Sequence, residues 1–126
     1  MPVRVLIVDD LEPFRIAARA VVDSTPGFQV VGEAVTGEES VVAARELRPD
    51  LILMDINLPG IDGVEATRRI LARSSRTVVL LLSTREAADV GPAVANAGAF
   101  AYLAKSGFSP QSLAAAWVAA DGFRAN

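Results

Sequence analysis

Apolar residues recur along the chain in two alternating rhythms. Short unbroken runs end abruptly at polar residues, and longer stretches space their apolar positions three and four apart. The first rhythm marks strands covered on both faces; the second marks helices with one covered face. Val3-Arg4-Val5-Leu6-Ile7-Val8 is a β-branched run ending at Asp9-Asp10, and Pro13 then opens a helical pattern through Phe14, Ala17, Ala18, Val21 and Val22. After the Pro26-Gly27 break, Phe28 to Ala34 predicts a second strand. Thr36-Gly37-Glu38-Glu39 has the spacing of a capping box for a helix ending near Leu47. Pro49-Asp50 closes that unit. Leu51-Ile52-Leu53-Met54 is a third strand that runs straight into Asp55 and then into the Pro59-Gly60 turn. Asp62-Gly63-Val64-Glu65 caps a third helix, with Val64, Ile70 and Leu71 roughly on one face. Val78 to Leu82 is the fourth strand. A weaker helical pattern from Ala87 to Ala97 is interrupted by Gly91-Pro92, and Ala99 to Ala104 is a fifth strand ending at Lys105. Ser109-Pro110 opens a last, alanine-rich helix containing Leu113, Trp117 and Val118, followed only by Asp121 to Asn126.

Strand and helix alternate five times, and right-handed crossovers leave few arrangements for such a chain. The expectation is one α/β domain over residues 1–126, a (βα)5 doubly wound parallel sheet with helices on both faces. No linker, low-complexity tract or second domain interrupts this rhythm.

Composition narrows the function. With 126 residues, 52% hydrophobic and no cysteine, the chain can build one core without disulfides. Apolar runs such as Val78 to Leu82 are far short of the roughly 20 residues that span a bilayer, so no membrane span is expected. Met1-Pro2-Val3-Arg4 leads directly into a strand without the features of a signal peptide, which points to the cytoplasm. A net charge of -3 offers no basic surface for phosphate backbones, so direct nucleic-acid binding by this segment is not expected. The absence of histidine and cysteine removes the commonest general base, the commonest transition-metal ligands and the best thiol nucleophile. Carboxylates, hydroxyls and one lysine, Lys105, set against eleven arginines, remain.

Ligands of open parallel sheets bind outside the carboxyl ends of the strands. Four polar features occupy those ends here: Asp9-Asp10, Asp55, Ser83-Thr84 and Lys105. Each alone has a commonplace role as a turn former, a satisfied hydroxyl or a solvated charge, and Tyr102 alone would be a half-buried packing aromatic. Their joint placement at four strand ends is the signal. Three acids meeting in one crevice repel unless a cation neutralises them, and an all-oxygen site suits Mg²⁺.

Across its whole length the chain resembles the CheY-like receiver domains of two-component response regulators. The resemblance rests on Asp9-Asp10, on Asp55 followed by Leu58-Pro59-Gly60 and Asp62-Gly63, on Ser83, and on Ala97-Gly98-Ala99 leading to Tyr102 and Lys105. Val31-Gly32-Glu33-Ala34, Arg48-Pro49-Asp50-Leu51 and the segment from Gly63 to Ile70 look most like receivers fused to a helix-turn-helix domain, the NarL/LuxR type. The resemblance implies a flavodoxin-like strand order 2-1-3-4-5. It implies that Asp55 takes a phosphoryl group from a phosphohistidine on a sensor histidine kinase. Asp10, Asp55 and the backbone carbonyl of Asn57 would hold Mg²⁺, with Asp9 acting largely through water. Lys105 would pair with a phosphoryl oxygen, and Ser83 and Tyr102 would act as the switch pair. Asn57, Thr84 and Arg85 would tune access and phosphoryl lifetime. The output would be a changed face around the helix after strand four, strand five and the last helix, read by a homodimer partner or by a C-terminal DNA-binding domain absent from this chain, so that transcription is controlled. Such a domain phosphorylates and dephosphorylates itself slowly and is otherwise not an enzyme.

Three positions depart from the family pattern. Ser106 replaces a proline that often carries a cis bond, so the Lys105-Ser106 bond is either trans or strained. Thr84 fills a place often held by alanine, and Ala101 replaces a common glycine. Two other readings compete. An aspartyl-phosphate phosphohydrolase needs a second acid two residues after the nucleophile, and that position is Asn57, which cannot transfer a proton in that role. A receiver working without phosphate as a protein-binding module is the second alternative.

Overall fold

The structure, a computed structural model, describes residues 1–84 and 96–125, the last three by backbone alone. Five strands, β1 (Val3–Val8), β2 (Phe28–Ala34), β3 (Leu51–Asp55), β4 (Val78–Ser83) and β5 (Ala101–Ala104), form one sheet in the order β2-β1-β3-β4-β5, with every pairing parallel. The described helices are α1 (Glu12–Asp23), α2 (Gly37–Leu47), α3 (Gly63–Arg73) and α4 (Pro110–Ala125). The order and the doubly wound architecture are those expected from the alternation and the resemblance. Except for Asn96 and Ala97, the helix expected over Ala87 to Ala97, with its Gly91-Pro92 break, lies outside the described residues, as does Arg85.

The unbroken apolar runs have a direct cause. Because successive strand residues point to opposite faces, a sheet covered on both sides needs apolar residues at every position. On one face Val5, Ile7, Leu51, Leu53, Leu80 and Leu82 pack with Ala18 and Val22 of α1 and Leu113 of α4. On the other, Leu6, Val8, Ile52, Met54, Val79 and Leu81 pack with Ala66 and Ile70 of α3, flanked by Val41 and Leu47 of α2. All positions of β3 and β4 are buried.

Local signals set most of the helix ends. Thr36 Oγ1 accepts from the Glu39 amide at 3.0 Å, while Glu39 Oε1 reaches back to the Val35 amide, one residue before the cap. Asp62 Oδ1 accepts from the Glu65 amide at 2.8 Å, and Ser109 Oγ accepts from the Ser112 amide at 3.1 Å. Asp62→Ala should therefore cost about 1 kcal/mol, read as a lower urea midpoint with an unchanged slope.

The differences from expectation are local. The buried face of α3 is Gly63, Ala66, Thr67 and Ile70, so small residues let the helix sit close to the sheet while Val64 and Leu71 flank the contact half-buried. The regular part of β5 begins at Ala101 rather than Ala99, because only the Phe100 amide, bonded to the Val79 carbonyl, precedes the ladder. Asp121 and the residues after it extend α4 through Ala125 instead of following it.

Candidate functional site

The strand order makes the site. β1 and β3 are neighbours and Asp55 stands opposite Leu82 on β4, so Asp9, Asp55 and Ser83 emerge side by side at one sheet edge. Lys105 follows β5 at the start of a single 3₁₀ turn, Lys105–Gly107. Asp9, Asp55 and Ser83 are buried, whereas Asp10 and Thr84 are exposed. One carboxylate oxygen from each of Asp9, Asp10 and Asp55 lies within 4.8 Å of the others. The peptide bond between Lys105 and Ser106 is trans.

Lys105 bridges two of the acids, its Nζ lying 2.6 Å from Asp9 Oδ2 and 3.6 Å from Asp55 Oδ2. Phe14 of α1 covers the ammonium with its ring centroid 4.4 Å away, a cation–π contact that helps hold the long side chain over the site. The Asp9 contact is an ion pair without hydrogen-bond alignment, so Asp9 Oδ2 is buried with no hydrogen-bond partner. Its other oxygen is anchored by the Leu11 amide at 2.8 Å, and Arg15 donates to the Asp9 carbonyl.

Asp55 is held mainly through its backbone. The Gly63 amide bonds the Ile56 carbonyl at 2.8 Å, and a methyl group on Gly63 would overlap the Asp55 carbonyl oxygen. Only glycine lets α3 begin this close to the acid. Beyond the turn, Gly60 has φ +77° beside the Glu38 carboxylate, which accepts from the Ile61 amide at 3.2 Å and ties the loop after Asp55 to α2. The Asp55 carboxylate receives one long hydrogen bond, 3.4 Å from the Asn57 amide.

Burial pushes the Asp55 carboxyl up to about 6, and the Asp9 charge adds to it. Lys105 and the Asn57 amide pull the other way, and Asp10 adds a smaller upward push. At neutral pH the group is still ionised, in a place where a negative charge is poorly tolerated. Three carboxylates against one ammonium, with a buried oxygen lacking a hydrogen bond, fit a hard divalent cation such as Mg²⁺, which favours oxygen ligands.

Ser83 and Tyr102, expected as the switch pair, are in contact: the Tyr102 hydroxyl donates to the Ser83 backbone carbonyl at 3.3 Å, from a half-buried position. Phe14, Gly63 and Glu38 are the supporting residues that sequence reasoning did not assign to the site. Phe14 read as one more core position of α1, and Glu38 as part of a cap. Gly63, directly after the capping Asp62, was the one with a usable signal.

The model of the response regulator receiver domain matches residues 5–117. The chain is 41% identical over 103 residues to the response regulator GacA of Pseudomonas viridiflava, covering 82% of this chain and 48% of that protein. It is 40% identical over 104 residues to the transcriptional regulatory protein LiaR of Bacillus subtilis, covering 82% and 49%. Among solved structures, a LuxR-family two-component response regulator from Aurantimonas sp. SI85-9A1 superimposes with a TM-score of 0.87 at 32% identity, over 97% of this chain and 87% of that one. The chain spans about half the length of the curated relatives it matches.

Proposed function

The chain belongs to the response regulator receiver domain family, and from that premise we propose that it is switched by phosphorylation of Asp55. The observation that carries this reading is the bracketing of one buried, ionised carboxylate by two acids and a lysine drawn from two other strand ends.

The donor is a phosphohistidine on a sensor histidine kinase. An Asp55 oxygen attacks phosphorus in line, the new P–O bond forms as the P–N bond breaks, and the electron pair leaves on the imidazole, which then takes a proton from solvent. Asp10, Asp55 and the backbone carbonyl of Asn57 would hold Mg²⁺, with Asp9 contributing through water. Bound there, the ion would offset charge gathering on the transferring phosphoryl group. Lys105, already 3.6 Å from Asp55, supplies a second positive partner for a phosphoryl oxygen on leaving Asp9. The Ser83 hydroxyl takes a further oxygen. Because Tyr102 is bonded to the Ser83 carbonyl, movement of Ser83 disturbs Tyr102 and the face formed by β5 and α4. Thr84, exposed beside Ser83, and Asn57 and Arg85 tune access and phosphoryl lifetime.

The apolar hollow lined by Leu11, Pro13, Phe14 and Phe108, next to Lys105, supports docking of the kinase beside the acceptor. The curated relatives GacA and LiaR, about twice as long, and the transcriptional role in LiaR's name support a transcriptional output, here through a helix-turn-helix DNA-binding domain outside this segment. The same reading has the domain work in the cytoplasm and pair as a homodimer. No helix among the described residues is long and apolar enough to cross a membrane. With Asn57 in place of a second acid, the segment turns over no free substrate beyond its own slow dephosphorylation.

Incubation with Mg²⁺ and phosphoramidate should add one phosphoryl group by intact mass, and peptide mapping should place it on Asp55. A phosphoryl group found elsewhere overturns the assignment. No uptake from any donor would favour a phosphate-independent binding module.

A further inference from the structure

Lys105 reaches the site from a short, lightly held turn. Its backbone enters the single 3₁₀ turn Lys105–Gly107, in which Ser106 and Gly107 are exposed, and the Phe108 amide closes that turn on the Lys105 carbonyl at 3.2 Å. The side chain is nevertheless well covered, only 11% exposed. A long flexible stem separates this backbone from the ammonium, so the tip must be held by its own contacts. Two attractions hold it. One is to the carboxylates of Asp9 and Asp55, and the other is to the Phe14 ring, whose centroid lies 4.4 Å from Nζ.

The two attractions answer a metal differently. A divalent cation among Asp9, Asp10 and Asp55 would share the charge that now draws Lys105 in, and it would repel the ammonium as well. The face of an aromatic ring keeps its attraction whatever the carboxylates hold. Phe14 is also built into the frame of the site. The Leu11 amide bonds Asp9 Oδ1 at 2.8 Å and the Leu11 carbonyl accepts from the Phe14 amide at 3.1 Å, so the first turn of α1 is set relative to Asp9. Phe14 faces Phe108 as well, with ring centroids 6.3 Å apart, and so meets both ends of the lysine's turn. Packing explains part of its presence, because Phe14 lies against the apolar cluster between α1 and the sheet. Leucine would fill that role nearly as well, yet would offer the ammonium no ring face.

We propose that Phe14 is a positioning residue for phosphoryl transfer: its ring keeps Lys105 beside Asp55 when a metal shares the acids. The proposal rests on the reading of Asp55 as the phosphoryl acceptor.

The test uses the fact that Lys105 is the only lysine, so carbon-13 lysine labelling gives NMR signals from that side chain alone. In the native chain the ring should shift the Lys105 ε protons upfield, and saturating Mg²⁺ should leave that shift largely in place. Phe14→Leu should lose it, and Mg²⁺ should then bring the signals to those of a free lysine. Phe14→Tyr, which keeps a ring, should follow the native chain. With Mg²⁺ and phosphoramidate, a donor that needs no docked kinase, Phe14→Leu should slow phosphoryl uptake about five- to tenfold. In a Lys105→Ala background the same substitution should slow it no further, because no ammonium is left to hold. Phe28→Leu removes a ring from the same cluster at its contact with Trp117 and should change neither the Lys105 signals nor the uptake rate. Identical Lys105 signals in the native and Phe14→Leu proteins with Mg²⁺, or equal slowing by Phe14→Leu with and without Lys105, would overturn the proposal. A native chain that takes up no phosphoryl group would sink the Asp55 reading instead, and the Lys105 signals would then decide by themselves whether Phe14 holds the lysine.

Discussion

Asp55→Asn is expected to abolish phosphoryl uptake and, in magnesium-free buffer near about pH 8, to melt several degrees above the native chain. Both results come from the same burial. Desolvation and the facing Asp9 charge push the native carboxyl up to about 6 from an ordinary value of 3.8. Between those values the folded state holds more of a proton than the unfolded chain. The contribution of Asp55 to stability is therefore greatest below about 3.8, is lost as pH rises through about 6, and stays unfavourable above it. At 1.36 kcal/mol per pH unit, the penalty is on the order of 1 to 3 kcal/mol. An amide removes the charge while keeping the shape. Thermal melts of both proteins across that window should diverge as pH rises, and Mg²⁺ should narrow the gap by answering the acids in the native protein. Parallel curves would show that Asp55 carries no buried charge.

Gly63→Ala should be the most damaging single methyl group near the site. Its Cβ would meet the Asp55 carbonyl oxygen and carbon and the Ile56 Cα, all backbone atoms that cannot rotate away. Overpacking of this kind costs about 1 to 3 kcal/mol, and relief requires α3 or Asp55 itself to move. The variant should lose stability in urea and also phosphorylate more slowly once refolded. Two comparisons isolate the cause. Gly32→Ala places its Cβ 2.6 Å from the Leu47 Cδ1, a flexible side-chain end that can yield, and Gly107→Ala meets nothing within 4 Å. If all three variants behave alike, the close approach of α3 is not what positions Asp55.

The element order and nearly every helix start were readable from local residues. Thr36, Asp62 and Ser109 cap where they stand, because a cap needs only amides two or three residues away. The acids, the hydroxyl and the lysine were readable as strand-end residues, since an apolar run that stops at a polar residue marks where a strand leaves the core.

Contacts between distant segments had no such signal. Asp9 and Asp10 look equivalent in the chain, yet one is buried against Lys105 and the other faces solvent. Phe14 has the spacing of any core residue of α1 and serves the site only because β5 ends beneath it. The arginines of α2 and α3 form a groove only because those helices lie side by side on one face of the sheet. Local periodicity and capping are properties of a few neighbouring residues, so the sequence alone determined the elements and the residues at their ends. Which of those residues meet depends on strand order and packing across many tens of residues, and only the tertiary structure decided that.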